Sequence, residues 1–152
     1  MANIIMSYKN AHVRGVPAFE VMDLYTDSNL LAGAEPAVQG PRRILLGDSL
    51  TLAPFSVVGL SSGKLVMATY NATLSSAIKP IGVLLHGATS GSSNTTVFGE
   101  VLLTGNFNAG VNDTGDDSPL VWHASFDTLA KKTTWEGVVG NPLLVFRQRR
   151  IV

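Results

Sequence analysis

The chain has no cysteine and few charged residues. The absence of cysteine from all 152 residues excludes disulfide bonds, thiolate metal sites and cysteine nucleophiles. Charged residues make up 14% of the chain, whereas about a quarter is usual for a soluble domain. So low a charge is typical either of a small neutral protein or of a protein whose surface is partly covered by a partner.

An excess of charge of one sign is also missing. Eleven basic and eleven acidic residues give a formal net charge of zero. Non-specific nucleic-acid binding depends on neutralising phosphates, so we expect no direct nucleic-acid partner. Zero net charge removes the repulsion that keeps copies of a protein apart, which favours self-association.

Long hydrophobic runs are absent as well. No stretch approaches the roughly 18 apolar residues of a membrane-spanning helix, so we expect no membrane partner. The first six residues lack a basic region followed by a long apolar core, so we expect no secretory signal.

Short apolar and β-branched runs, separated by Gly, Ser, Asn and Pro, predict a mainly β fold. We expect a small β-barrel or sandwich body with one or two short helices and an extended N-terminal arm. The central stretch is Lys79–Trp122, in which a break at residues 105–108 follows two strands. The predicted strands are residues 43–46, 55–60, 64–70, 79–85, 97–104 and 142–146.

Two local signals are more specific. Ser61-Ser62-Gly63 has the length and composition of a hairpin turn. Residues 125–132 are the best helix candidate, because Ser125 can cap the N-terminus and two lysines suit the C-terminal end of the helix dipole.

The N-terminal part predicts an arm. Residues 26–43 have the composition of a linker, so we divide the chain into an arm and linker, residues 1–40, and a β-rich body, residues 41–152. Residues 19–25 alternate in the manner of a strand. An apolar cluster at residues 4–8 is either a frayed terminus or an anchor that adds a strand to a partner's sheet. The arm residues expected to bind are Ile4, Ile5, Met6, Tyr8, Phe19, Val21 and Tyr25.

One loop carries the residues that most resemble a catalytic or metal site. Asp113-Thr114-Gly115 spells the triplet of aspartic proteases, but that chemistry needs two carboxylates sharing a proton. A surface turn is the better interpretation. Asp113, Asp116 and Asp117 lack the alternate spacing and distal Glu of an EF-hand, so a solvated acidic loop is favoured over a calcium site.

The remaining candidates are weaker. Residues 59–64 depart from the phosphate-binding loop pattern and lead into a strand, so a hairpin is expected. His12, His86 and His123 are scattered, with no spacing that brings them together. Three glycosylation-type triplets, which begin at residues 71, 94 and 112, indicate polar loops. We therefore predict no catalytic residue, no cofactor and no metal.

The C-terminal end is basic, with Arg147, Arg149 and Arg150 close together. Arginines bind carboxylates and phosphates in a bidentate manner. In a chain of zero net charge, an acidic protein partner or a solvated edge is favoured over nucleic acid.

An ordered set of turns and strands carries a resemblance to a known family. Its elements, in chain order, are Gly47-Asp48-Ser49-Leu50, Val57-Val58-Gly59, Gly63-Lys64-Leu65, Lys79–Leu84, Gly105–Asn108, Leu120-Val121-Trp122 and Thr133–Glu136. In this order and spacing, over about residues 40–140, the chain resembles the lambda-type head decoration proteins of tailed bacteriophages. The elements are turn and strand signatures and contain no reactive groups.

The resemblance implies a structural role in the virion. Members of that family are small, mainly β proteins that form homotrimers on the outer surface of the expanded capsid, at threefold and quasi-threefold positions. They cement neighbouring major capsid proteins against the pressure of packaged DNA. Their N-terminal arms order on the capsid and extend its sheet, which residues 1–40 would do here. The protein would be made in the host cytoplasm and would not be an enzyme.

Two other functions stay open. One is a different virion component, such as a tail-tube, connector or fibre-base protein. The other is a small β-barrel enzyme or ligand-binding protein, for example a hydrolase that uses Asp113 with His123.

Overall fold

A computed structural model describes residues 29–134 and 143–149. This part of the chain contains ten strands, a 3₁₀ turn at Leu74–Ser76 and one short helix, α1 (Leu129–Thr133). In chain order the strands are β1 (Leu31–Gly33), β2 (Arg42–Leu45), β3 (Thr51–Leu52), β4 (Val57–Ser61), β5 (Lys64–Met67), β6 (Pro80–Leu84), β7 (Ala88–Thr89), β8 (Phe98–Leu102), β9 (Gly105–Gly110) and β10 (Leu144–Gln148).

The strands form three sheets, so the mainly β class is confirmed. The largest is antiparallel with the order β2-β8-β6-β4-β5, the second has the order β1-β9-β10, and β3 pairs with β7. The edges of the five-stranded sheet approach each other at one bridge, between Leu46 and Leu65. None of the sheets in the described residues closes into a barrel.

The central strands of the five-stranded sheet are buried on both faces. Neighbouring residues of a strand point to opposite faces, and in three strands both neighbours are buried. These pairs are Val57–Val58, Val83–Leu84 and Val101–Leu102. One face packs with β9 and β10 in a core that contains Phe107 and Phe146. The other face forms a second core around Leu46 and Leu65. Burial on both faces explains why these strands have continuous apolar runs in the sequence.

The break predicted at residues 105–108 is wrong, because these residues begin β9, whose six residues are all buried. Asn and Gly disfavour strands in general. Here, however, the Asn106 amide donates to the carbonyl oxygen of Glu35 at 3.0 Å, and the Asn108 amide donates to that of Asn29 at 2.7 Å. These distant partners outweigh the local preference.

The predicted helix begins later than expected. It spans Leu129–Thr133, and its N-cap is Thr128, whose hydroxyl accepts from the amide of Lys131. The predicted cap, Ser125, instead accepts from the backbone amide of Tyr70 at 2.8 Å. A tertiary hydrogen bond therefore uses the hydroxyl that the sequence assigned to helix capping.

The ends of the described chain meet in the three-stranded sheet. The predicted linker at residues 26–43 contains β1, which pairs antiparallel with β9. The predicted last strand is confirmed as β10 and pairs parallel with β9 on its other side. Segments far apart in sequence thus lie on the two sides of one buried strand.

The hairpin predicted at residues 61–63 is confirmed. Ser61 pairs with Lys64, which leaves Ser62 and Gly63 as a two-residue loop between β4 and β5. Both loop residues have positive φ, 50° and 76°. This is the conformation that matches the twist of a tight hairpin.

Replacement of Gly82 should test the close approach of β6 to β8. A Cβ atom at Gly82 would lie 2.4 Å from the carbonyl oxygen of Leu102, which is backbone and cannot rotate away. We expect Gly82→Ala to lower the free energy of unfolding by about 1–3 kcal/mol in urea denaturation. Gly91→Ala is the matched control, since no heavy atom lies within 4 Å of its Cβ position. Equal stability of the two variants would contradict this packing.

Candidate partner-binding surface

The Asp113 triplet forms a surface turn. Oδ1 of Asp113 accepts from the backbone amide of Leu129 at 2.7 Å, and the carbonyl oxygen of Asp113 accepts from Nζ of Lys132 at 2.7 Å. Lys132 is buried. Burial lowers the pKa of Lys132, and the nearby charge of Asp113 opposes that shift. The arrangement fastens the loop to α1.

The other carboxylates of the acidic loop have protein partners too. Asn112 donates to Asp116 at 2.7 Å, and hydrogen bonding by Asn112 is the main cause of the lowered pKa of Asp116. Asp117 binds Asn29 and Arg149. Within residues 29–134 and 143–149, no group of three or more His, Asp or Glu side chains is placed to hold a metal ion.

His86 and His123 make separate local contacts. Nε2 of His86 lies 3.8 Å from a carboxylate oxygen of Glu100 at the surface. Nδ1 of His123 lies 2.9 Å from Oγ of Ser125, the hydroxyl that already accepts from Tyr70. His123 and Asp113 thus have different hydrogen-bond partners. His12 lies outside the described residues.

The remaining sequence motifs stabilise turns. Lys64 donates to Asp48 at 2.8 Å, and this bond is the main cause of the lowered pKa of Asp48. Asn94, which begins one of the glycosylation-type triplets, is only 4% exposed. Its amide donates to the carbonyl oxygens of Leu46 and Val97. The triplet lies in a loop, as predicted, and the buried Asn94 side chain holds that loop to its neighbours.

Asp117 joins the two ends of the described chain. One carboxylate oxygen accepts from Nδ2 of Asn29 at 2.6 Å, and the other accepts from Nη1 of Arg149 at 2.9 Å. The carbonyl oxygen of Asp117 accepts from the amide of Asn108, which also binds the carbonyl oxygen of Asn29. We call these four residues, Asn29, Asn108, Asp117 and Arg149, the terminal junction. It brings Asn29 and Arg149, the first and last described residues, to the two oxygens of one carboxylate.

An open groove of about 610 Å³ lies beside the terminal junction. Consecutive residues of β1 line it, and since they point alternately to opposite faces, the groove follows the backbone of β1. Two of its apolar side chains are well exposed, Leu31 at 42% and Val38 at 39%. Among the described residues, the groove is lined by Asn29, Leu31, Ala32, Gly33, Ala34, Ala37, Val38 and Arg149.

The structure places only some of the binding residues predicted from the sequence. Arg147 lies exposed on β10, and Arg149 lies in the terminal junction. The arm residues Ile4, Ile5, Met6, Tyr8, Phe19, Val21 and Tyr25, together with Arg150, lie outside the described residues.

Sequence reasoning missed Asp117 and Asn29. Their hydrogen bond joins positions 88 residues apart. The local sequence around Asp117 indicates only an acidic loop. Asp117 has a positive φ of 65°, a backbone conformation that Asp tolerates better than most residues. This is the local property of Asp117 that fits its position in the terminal junction.

Comparisons with protein-family models, with curated proteins and with solved structures find no match. No helix among the described residues is long and apolar enough to cross a membrane.

Two substitutions at Asp117 should measure the terminal junction. Asp117→Ala removes both side-chain contacts and places Ala at a positive φ, so we expect a loss of about 1–2 kcal/mol in the free energy of unfolding. Asp117→Asn keeps an oxygen for Asn29 and a residue that tolerates the backbone conformation, so it should lose less. Hydrogen exchange should also become faster at residues 29–31 in Asp117→Ala. Unchanged exchange there would mean that Asp117 does not hold the chain end.

Asp113→Asn tests the hydrolase alternative. The Asn side chain keeps an oxygen for the amide of Leu129, and the carbonyl bond to Lys132 is unaffected. We expect a loss of no more than about 1 kcal/mol in the free energy of unfolding, because the charge of Asp113 no longer favours the charged form of the buried Lys132. We expect no change in the native mass. Loss of a hydrolytic activity in this variant alone would restore the enzyme interpretation.

Proposed function

We propose that this protein is a capsid decoration protein of a tailed bacteriophage. It binds as a homotrimer to the outer surface of the expanded head, at threefold and quasi-threefold positions. There it holds neighbouring major capsid proteins together against the pressure of packaged DNA.

The observation that supports this function best is the terminal junction. Asn29 and Arg149, the first and last described residues, both bind the carboxylate of Asp117. In sequence, the predicted binding arm precedes Asn29, and Arg149 belongs to the predicted basic end. The body that carries them has two apolar cores and short strands. In the proposed role, this body supports the arm and the basic end, which continue in sequence from residues that bind the same carboxylate.

Threefold association would strengthen weak contacts. A strand that joins a partner's sheet gains about 0.5–1.5 kcal/mol net for each hydrogen bond. Three arms delivered by one trimer act at high effective concentration, so each arm needs only modest affinity. A trimer also matches the symmetry of a threefold lattice position.

The decisive experiment is sedimentation with purified shells of the phage that encodes the chain. We expect the intact protein to bind expanded shells and not unexpanded ones, and to form a trimer in solution or on the shell. Deletion of residues 2–25 should weaken binding by at least about a hundredfold, because three arms are lost together.

Asp113→Asn serves as the matched control, since Asn keeps the hydrogen bond to the amide of Leu129 and the variant retains Asp117 and its bond to Asn29. It should bind expanded shells as the intact protein does. If the arm deletion bound as tightly as this control, the arm would have no role in attachment. A ring of six copies in native mass spectrometry would instead favour a tail-tube or connector component.

A further inference from the structure

Four side chains form a block where β2 and β8 pair in the five-stranded sheet. Arg43 on β2 lies directly opposite Glu100 on β8, and Leu45 lies directly opposite Phe98. Directly opposed residues of an antiparallel pair point to the same face of a sheet. We call these four residues the β2–β8 patch. It has a charged half, Arg43 and Glu100, and an apolar half, Leu45 and Phe98.

The patch points away from the second core. A Cβ atom on Gly99 of β8 would meet the side chains of Leu65 and Leu84, which belong to that core. Phe98 and Glu100 are the neighbours of Gly99 in the strand, so they point to the opposite face. Phe98 is 42% exposed there. A partner that covered this ring would gain the free energy of apolar burial.

The two charges of the patch are accessible to a partner. Arg43 is exposed, and its guanidinium lies over the Phe98 ring, 5.2 Å from the ring centroid. A guanidinium that stacks on a ring can still donate from its edge to a carboxylate. The carboxylate of Glu100 lies 3.8 Å from Nε2 of His86, which is longer than a hydrogen bond. Both groups can therefore bind a new partner without the loss of a described hydrogen bond.

The patch is complementary to itself. A twofold axis that runs along the strands, between β2 and β8, places β2 of one copy over β8 of the other. Arg43 of each copy then faces Glu100 of the other copy, and Leu45 faces Phe98. The strands of the two sheets stay nearly aligned, as is common when sheets pack face to face. Zero net charge adds no long-range repulsion between the copies.

We infer that the β2–β8 patch forms a twofold contact between two copies of this chain in the free protein. The contact is weak, because four side chains bury less surface than a stable dimer needs. It therefore forms at high protein concentration. This contact goes beyond the capsid role and does not depend on it. If the free protein is a trimer, the same contact joins two trimers.

Charge reversal tests the contact by sedimentation velocity. Arg43→Glu leaves only carboxylates in the charged half, and Glu100→Arg leaves only guanidinium groups. Each variant alone should therefore associate at least about tenfold more weakly than the intact protein. An equimolar mixture of the two variants should recover the affinity to within about threefold, since opposite charges again face each other between copies. Within each chain the like charges remain together, so better folding cannot explain this recovery.

Arg42→Glu is the matched control. It makes the same change of charge one residue earlier on β2, where the side chain points to the other face. Its mixture with Glu100→Arg should associate at least about threefold more weakly than the mixture that contains Arg43→Glu. Equal recovery in the two mixtures would mean attraction between opposite net charges alone, and it would overturn the contact.

Phe98→Ala tests the apolar half of the patch. It should weaken association at least about fivefold, because the contact buries both rings. Leu31→Ala is its control, since Leu31 is equally exposed but lies on β1 of another sheet. The reverse result would assign self-association to the groove beside β1 and overturn the inference.

The intact protein gives a test without substitution. A native mass that does not rise with concentration up to about 1 mM would overturn the contact. A six-copy assembly that Arg43→Glu separates into trimers would support it, because that assembly is a pair of trimers and not a sixfold ring. Self-association that neither charge reversal changes would place the contact elsewhere and contradict the inference.

Discussion

The described structure depends on one buried amide, that of Asn108, which has no exposed surface. A buried amide without partners costs about 1–3 kcal/mol, so its neighbours must supply hydrogen bonds. The nitrogen donates to the carbonyl oxygens of Asn29 and Asp117, and the oxygen accepts from the amide of Gly110. These bonds fix the start of the described chain and the end of the acidic loop relative to β9. The position of Asp117, and through it that of Arg149, follows from them.

The described structure has two parts, a scaffold of central strands and the segments that are held to it by hydrogen bonds. The central strands lie between two apolar cores, and the acidic loop is fastened to the scaffold through Lys132 and Asp117. Residues of the loop that resemble reactive groups therefore serve as structural ties. The open groove, the exposed Leu31 and the two ends of the described chain, Asn29 and Arg149, lie instead around β1 and the terminal junction. The proposed decoration role uses recognition by surfaces of this kind.

Local pattern was enough to predict much of this fold. The apolar runs gave the strands of the five-stranded sheet, and Ser62-Gly63 gave the hairpin, because burial and turn geometry leave clear local signals. Strand β9 and the start of α1 could not be predicted in this way. Asn106, Asn108 and Ser125 have partners far away in sequence, and these partners reverse what their local preferences indicate. The terminal junction was missed for the same reason, since its contacts span 88 and 32 residues.

The proposed decoration role is tested most directly by an averaged three-dimensional reconstruction of the virion to which the proposal assigns this chain. The account predicts three copies of the β body on the outer surface of the expanded head at threefold and quasi-threefold positions. The terminal junction should face the major capsid protein. Density for the body in the tail, in a sixfold ring or on the inner surface of the head would contradict the account.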